Sequence, residues 1–541
     1  MNRRSFLRRV GSTSAALGAT ALIGSAEACS TGRSPNASPT TTTGPTTTGP
    51  TTSGGGTSTG TGPGIGPANW SVLASTLTGS LVMPGDATYA SSVELYNELF
   101  TPGPAAVAYC ANPTDVQRCV AYARKHDVPV AARSGGHSYG GYSSSRGLVI
   151  DVSALNDIAV GAGSTQAVVG AGAQLINVYS QLGSAGVLVP GGSCPTVGIA
   201  GLALGGGIGV FGRAYGMTCD NISSLNVVTA DGSLRQCSST QNSDLYWASQ
   251  GGGGGNFGVV TSFTFKVHPI PAVTLFTLEW PWAEAGTVLD AWLSWMPTTP
   301  SELWSNCQLF SNGSAGGGSL KVTGVFAGTT AACTSALAPL LSAVGAAPSY
   351  RFVGPEDYLR AMMIEAGCEG KTVAQCNLPS RSPAGTLGRS AFSAKSSFVD
   401  APFSTAGTTA MIDAVEALGS EVPQVGGGIV FDGYGGVINQ VAAGDTAFVH
   451  RSAIACAQYS VTYASGAPGS SVIAAAHSWL EQTQSTFAPF AKGAYQNYID
   501  ATLPNWGQAY YGSNLPRLMR VKRRYDPDDF FHFAQSIPVA T

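Results

Sequence analysis

The sequence predicts an α+β fold in two parts, and three features carry that prediction. Asp115 to Lys125 has the caps and spacing of a helix, with Cys119, Val120 and Ala123 on one side, and leads into Val128 to Ala132, an apolar run that reads as a buried strand. From about Val273 the pattern changes: Leu275-Phe276-Thr277-Leu278-Glu279-Trp280 and Ser319 to Val325 alternate like strands of a sheet with one covered face. Stretches rich in Ala and Leu at 331–343 and 408–418 read as helices separating such strands. A chain of 541 residues, 44% hydrophobic and 11% charged, has the length and apolar content for two large cores. Its net charge of −3, with no long block of like charge beyond the N-terminus, supplies no basic field, and nucleic acid is not expected as a partner on that ground.

Taken in order, residues 1–28 read as an export signal. Asn2-Arg3-Arg4-Ser5-Phe6-Leu7-Arg8 is a basic start with twin arginines, and the apolar stretch from Val10 to Ala26 is too short and too diluted by Gly, Ser and Thr for a membrane span. Cleavage is expected after Ala26 or Ala28. Cys29 follows, so a lipid anchor at that cysteine is one reading and simple cleavage the other; the membrane is expected as a partner only through such an anchor. Residues 29–68 are almost wholly Thr, Ser, Gly and Pro after Cys29, too polar to offset the entropy of ordering, and read as a spacer. The chain is therefore expected to be exported by the twin-arginine route, then secreted or tethered to the envelope.

Beyond the first helix and strand comes Arg133-Ser134-Gly135-Gly136-His137-Ser138, then two more strands, Leu148 to Val152 and Ala167 to Gly170. A second loop, Cys194-Pro195-Thr196-Val197-Gly198, runs into further glycines including Gly201. Glycines let backbone N–H groups approach phosphate oxygens with no side chain between them, so strands feeding such loops suit a diphosphate. An isolated histidine is most often satisfied by local backbone, and an isolated cysteine is most often a buried thiol. One of each, in two glycine-rich loops, points to a cofactor gripped at two places. The six histidines are scattered and no cysteine pair has the close spacing of a zinc site, so no metal is expected; a phosphate-binding lysine loop is also missing, and the Gly-rich runs 201–209 and 251–258 hold no Gly-x-Ser-x-Gly elbow.

Four segments in order, VAARSGGHSYGGYSSSRGLVIDVSALN (130–156), GGSCPTVGIAGLALGGGIGVFGRAYGMTCDNI (191–222), DLYWASQGGGGGNFGVVTSFTFKVHP (244–269) and YYGSNLPRLMRVKRRYDPDDFFHFAQSIP (510–538), resemble those of the berberine-bridge-enzyme-like flavoproteins of the vanillyl-alcohol-oxidase superfamily. The resemblance implies a two-part FAD-binding domain of PCMH type over 69–272, a substrate domain over 273–490 whose antiparallel sheet is backed by helices, and a segment 491–541 that returns to complete the first domain. It implies one FAD bonded covalently twice, through His137 to the 8α-methyl carbon and through Cys194 to C6, with Arg133, Ser134, Gly135, Gly136, Ser138, Gly198 and Gly201 around it. Two bonds withdraw electron density and fix the ring, which raises its reduction potential and leaves the cleft open to a bulky substrate. Export of the folded protein suits a cofactor attached beforehand.

Catalysis by hydride removal needs a base for the departing hydroxyl proton. Tyr495-Gln496-Asn497-Tyr498 resembles the family segment in which a tyrosine is that base: Tyr498 is the first candidate and Tyr495 the alternate. A tyrosine is a weak base at neutral pH unless its pKa falls. On Phe431-Asp432-Gly433-Tyr434, either Asp432 or Tyr434 is expected to tune it, while Gln458 and Tyr459 are candidates for touching substrate. Alkaloid-forming plant members carry a glutamate where this chain has Gln458, which moves the expectation toward sugar-oxidising members. The small Val197, three residues after Cys194, resembles the residue that goes with oxidases. The expected activity is oxidation of an alcohol, a sugar or glycoside hydroxyl, with O2 reduced to hydrogen peroxide. The alternatives are a dehydrogenase or ring-forming oxidase on an aromatic metabolite, and a non-catalytic flavin-bearing surface protein.

Of the eleven cysteines, Cys368 and Cys376 bracket a short polar loop and form the expected bridge; burial as a small apolar side chain is the commoner fate for the others. Near the C-terminus, Leu518 and Val521 are spaced for a helix ending before Asp526-Pro527, and its basic run reads as a solvated face.

Overall fold

The computed structural model describes residues 69–540 except 162, 314–315 and 465–467; the expected export signal, cleavage site and spacer, with Cys29, lie outside the described residues. The helix expected over Asp115 to Lys125 spans Pro113–Lys125, two residues longer at its start, because the Asn112 side chain accepts from the Asp115 N–H at 3.0 Å and Pro113 suits the first turn. It buries Val116, Cys119, Val120 and Ala123. Strands Ala106–Tyr109, Leu148–Asp151 and Val130–Arg133 lie parallel, with Ser80–Val82 antiparallel at one edge. A second sheet orders Ile158–Val160, Gln166–Gly170, Val259–Lys266, Ile222–Val228 and Leu234–Ser238, all antiparallel.

The third sheet is a roof of eight antiparallel strands in the order Tyr350–Glu356, Val273–Trp280, Gly318–Phe326, Leu303–Ser311, Val425–Gly433, Ala455–Tyr463, Phe392–Val399, Ala491–Lys492. Side chains alternate across a strand, so each strand serves two cores. Cys307, Leu309, Ile429, Phe431, Ala457 and Tyr459 pack in the core shared with helices Ala285–Trp295, Thr330–Val344, Thr405–Glu421 and Ser470–Phe487. The opposite face, with Trp304 and Cys456, joins the core of the first two sheets. A cleft runs between them.

An ion pair clamps the two parts together. Arg451 donates to Asp220 through Nη1 at 2.8 Å and Nη2 at 2.6 Å, with both side chains under 10% exposed. Removing one partner of a buried pair strands the other charge, so Arg451→Ala is expected to cost about 3–5 kcal/mol. The check is the urea midpoint, which should recover in part when Asp220→Ala is added.

The helix Leu515–Tyr525 buries Leu518 and Val521 as the spacing predicts. Its basic run is not wholly solvated. Lys522 lies on the buried side with Leu518, and Nζ reaches Asp526 Oδ2 at 2.7 Å, the Phe531 carbonyl at 2.8 Å and the Asn256 carbonyl at 2.9 Å, tying the tail to the first part; Arg523 and Arg524 remain exposed. Cys368 and Cys376 form the expected disulfide, and Cys110, Cys119, Cys219, Cys237, Cys307, Cys333 and Cys456 are free and buried.

Candidate functional site

The strand Val130–Arg133 delivers the chain into the loop Ser134–Ser138, where Gly136 takes φ +74°, a left-handed conformation that favours glycine. A Cβ at Gly135 would collide with the backbone N of Gly198, so the two glycine-rich loops meet backbone to backbone. Gly135→Ala is therefore expected to push them apart and lower flavin content several-fold, read as flavin absorbance per mole of folded protein.

His137 Nε2 lies 2.8 Å from Thr196 Oγ1, and the Tyr96 ring stacks on the imidazole at 3.9 Å between centroids. Burial first, then the Arg381 charge, push the His137 pKa down to about 3, so the imidazole is neutral. Cys194 lines the same cleft two residues before Thr196.

Under the first loop, Arg133 Nε donates to Asp151 Oδ2 at 2.6 Å, with Arg381 at 3.6 Å from the same oxygen. Burial pushes the Asp151 carboxyl up, but the two guanidinium groups and hydrogen bonds from Ser153 outweigh it and hold the pKa below its usual value. Arg133 Nη1 and Gln496 Oε1 are buried without a hydrogen-bond partner, and both residues line the cleft. A Cβ at Gly201 would meet nothing within 4 Å. Bare glycine backbone with an unpaired donor and an unpaired acceptor along one cleft fits a dinucleotide, which carries a diphosphate and a ring edged with N–H and C=O groups. Ser134, Gly135, Ser138, Val197 and Gly198 line the cleft too.

Tyr139, next to the first loop, also lines the cleft, with Phe392, Asp432, Gln458 and Tyr498. The Tyr498 ring stacks on Tyr139 at 5.2 Å and meets the edge of Tyr495 at 4.9 Å. Gln458 Nε2 donates to Tyr139 Oη at 2.8 Å. Burial pushes the Tyr498 phenol well above its usual range, and Asp432 adds to the rise. Asp432 itself is pushed up to about 7 by burial, with no hydrogen bond or cation to offset it.

Tyr434 and Tyr459 sit outside the cleft, and Tyr495 lines it with its hydroxyl already engaged. Tyr495 Oη accepts from the Gly207 N–H at 2.9 Å, the Ile208 N–H at 3.1 Å and Asn497 Nδ2 at 2.9 Å, so it pins the C-terminal segment to the glycine run and is poorly placed to take a proton. Tyr434 is buried, with Oη 3.7 Å from Met217 Sδ, and does not line the cleft. Tyr459 points to the helical face, where its ring stacks on Phe487 at 5.1 Å and its hydroxyl bonds Ser397, so it is not a substrate contact. Neighbours on a strand face opposite ways, and Gln458 takes the cleft side. Tyr139 was missed by sequence reasoning, although it follows His137-Ser138 directly.

Residues 104–238 match the family described as FAD binding domain, and residues 494–538 the family described as berberine and berberine like. The FAD-linked oxidoreductase YgaK of Bacillus subtilis (strain 168) is 33% identical over 467 residues, covering 85% of this chain and 97% of that protein. Among solved structures, Physcomitrella patens BBE-like 1 aligns with a TM-score of 0.79 at 30% identity, over 87% of this chain and 100% of that one. A chitooligosaccharide oxidase aligns with a TM-score of 0.78 at 26% identity, over 87% and 99%. Fold, cleft and likenesses together define an FAD-linked oxidoreductase. The chain belongs to the berberine-bridge-enzyme-like family.

Proposed function

We propose that this enzyme oxidises an alcohol, a hydroxyl of a carbohydrate or glycoside, and passes the electrons to O2 as hydrogen peroxide, using an FAD bonded to both His137 and Cys194. The observation that carries the reading is Asp432: a buried carboxyl with a pKa near 7 on the roof face of the cleft, beside Tyr498. When bound, the flavin supplies a two-electron acceptor for hydride. Asp432 takes the hydroxyl proton, since a base whose pKa lies near the working pH is the efficient one. The Tyr498 phenol, held neutral by burial, donates to the substrate oxygen and orients it. This divides between two residues the task that the sequence expectation gave to Tyr498. Gln458 fixes Tyr139, which stacks on Tyr498 and holds that ring in place.

The double linkage is supported by the neutral His137. A neutral imidazole keeps a ring lone pair that would suit a bond to the flavin methyl carbon, in which that carbon and the imidazole would each give up a proton and the flavin ring would take up the electron pair. Cys194 lines the same cleft, two residues from Thr196. The likeness to a chitooligosaccharide oxidase supports a sugar substrate, and the small Val197 at the cleft supports O2 as acceptor. The twin arginines at Arg3-Arg4 support export of the folded, loaded protein, with Cys29 as the point of any tether.

The cleft wall also carries Tyr96, Tyr139, Trp304 and Phe392, which favours an aromatic alcohol as the second reading. A peroxidase-coupled assay separates the readings, with chitobiose, xylobiose and cellobiose set against benzyl alcohol. Peroxide from a sugar supports the proposal. Turnover of the aromatic alcohol alone supports the second reading, and dye reduction without peroxide makes the protein a dehydrogenase.

A further inference from the structure

This inference rests on Asp432 being the proton acceptor. In the roof sheet Asp432 stands in register between two residues, Asn306 on strand Leu303–Ser311 and Cys456 on strand Ala455–Tyr463. Asn306 is fully buried. Its Oδ1 accepts from Thr323 Oγ1 at 2.9 Å and from Gln308 Nε2 at 3.0 Å. Thr323 belongs to strand Gly318–Phe326, which flanks Leu303–Ser311 on the side away from Asp432. The two ends of a planar amide diverge, so an Oδ1 tied toward Thr323 turns Nδ2 toward the strand of Asp432. That Nδ2 has no hydrogen-bond partner. A buried donor without an acceptor is rare in folded proteins and calls for a reason.

The groups that face Asp432 are Tyr139 from the first glycine-rich loop, Tyr498 from the C-terminal segment and Cys456 from the neighbouring strand, all neutral at pH 7. None of them is a cation, and of the two strand neighbours only Asn306 carries a free N–H. We propose that Asn306 is a positioning residue for Asp432: its side-chain N–H donates to the carboxylate as that group ionises, fixing the carboxylate's rotamer and the pH at which it takes up a proton. Asn306 does not touch substrate, because its amide is sealed from the cleft. It acts through Asp432 alone.

A hydrogen bond to the charged form favours that form, so loss of the donor moves ionisation of Asp432 to higher pH. The test is an infrared pH titration of the holoenzyme, following the carbonyl stretch of the protonated carboxyl that is absent from Asp432→Asn. Asn306→Leu is expected to raise the midpoint by about one pH unit. Asn306→Asp keeps an acceptor for Thr323 and Gln308 while replacing the donor, and serves if the leucine variant does not load flavin. Two carboxyls then share the site, and the upper step of the pair is expected to lie above the native midpoint. A midpoint unchanged from native in the leucine variant, or no step above it in the aspartate variant, overturns the role of Asn306. A native Asp432 band that titrates as an ordinary carboxyl, together with native flavin reduction in Asp432→Asn, overturns the proton-acceptor reading itself and this inference with it.

Discussion

Asp432→Asn will keep its flavin and fold but reduce that flavin with substrate about 10²–10⁴-fold more slowly, the range a positioned general base contributes. Stopped-flow reduction without oxygen checks this directly. In the native protein the rate should rise with pH through about 7, where burial places Asp432, and that limb should vanish in the variant. Stability carries the opposite sign. The pKa of Asp432 is raised in the folded state, so between about 4 and 7 the folded protein binds more protons than the unfolded chain, and stability falls as pH rises through that window. Asp432→Asn should lose less melting temperature than native protein between those limits. Tyr498→Phe should slow reduction by a smaller factor, about tenfold, because it removes an orienting hydrogen bond and leaves the proton acceptor in place. Equal losses in the two variants would return the base to Tyr498.

The double variant His137→Ala with Cys194→Ala should bind flavin that acid releases completely, whereas each single variant should retain one bond and an acid-stable flavin. His137 is neutral, with Nε2 2.8 Å from Thr196 Oγ1. Peptide mass analysis of the single variants reads which bond remains.

The parts of this site legible in the sequence are those coded by local patterns. The Arg-Ser-Gly-Gly-His and Cys-Pro-Thr-Val-Gly loops could be found because glycine at fixed offsets from a reactive residue is a one-dimensional signal. The helix before the first loop could be found because Asn112-Pro113 and the apolar spacing agree. Roof residues were harder, since a strand shows its period but not which face is covered. Gln458 and Tyr459 looked equivalent, and only the position of helix Ser470–Phe487 against Tyr459 tells them apart. Tyr495 and Tyr498 lie three residues apart in one short segment; their separate duties come from the Gly207 and Ile208 N–H groups, far away in the chain. Lys522 read as solvated because the tail that buries it, Asp526 to Phe531, has no apolar period of its own. The pairing of Asn306 with Asp432 depends on strand register across the centre of the sheet, which no local pattern encodes.

The central claim is a flavin held by two bonds between the glycine-rich loops, and its most direct test is acid precipitation of the purified native protein followed by mass analysis of flavin-bearing peptides. The account predicts a yellow pellet in which one flavin joins a peptide containing His137 to a peptide containing Cys194. A colourless pellet with all FAD in the supernatant would contradict it.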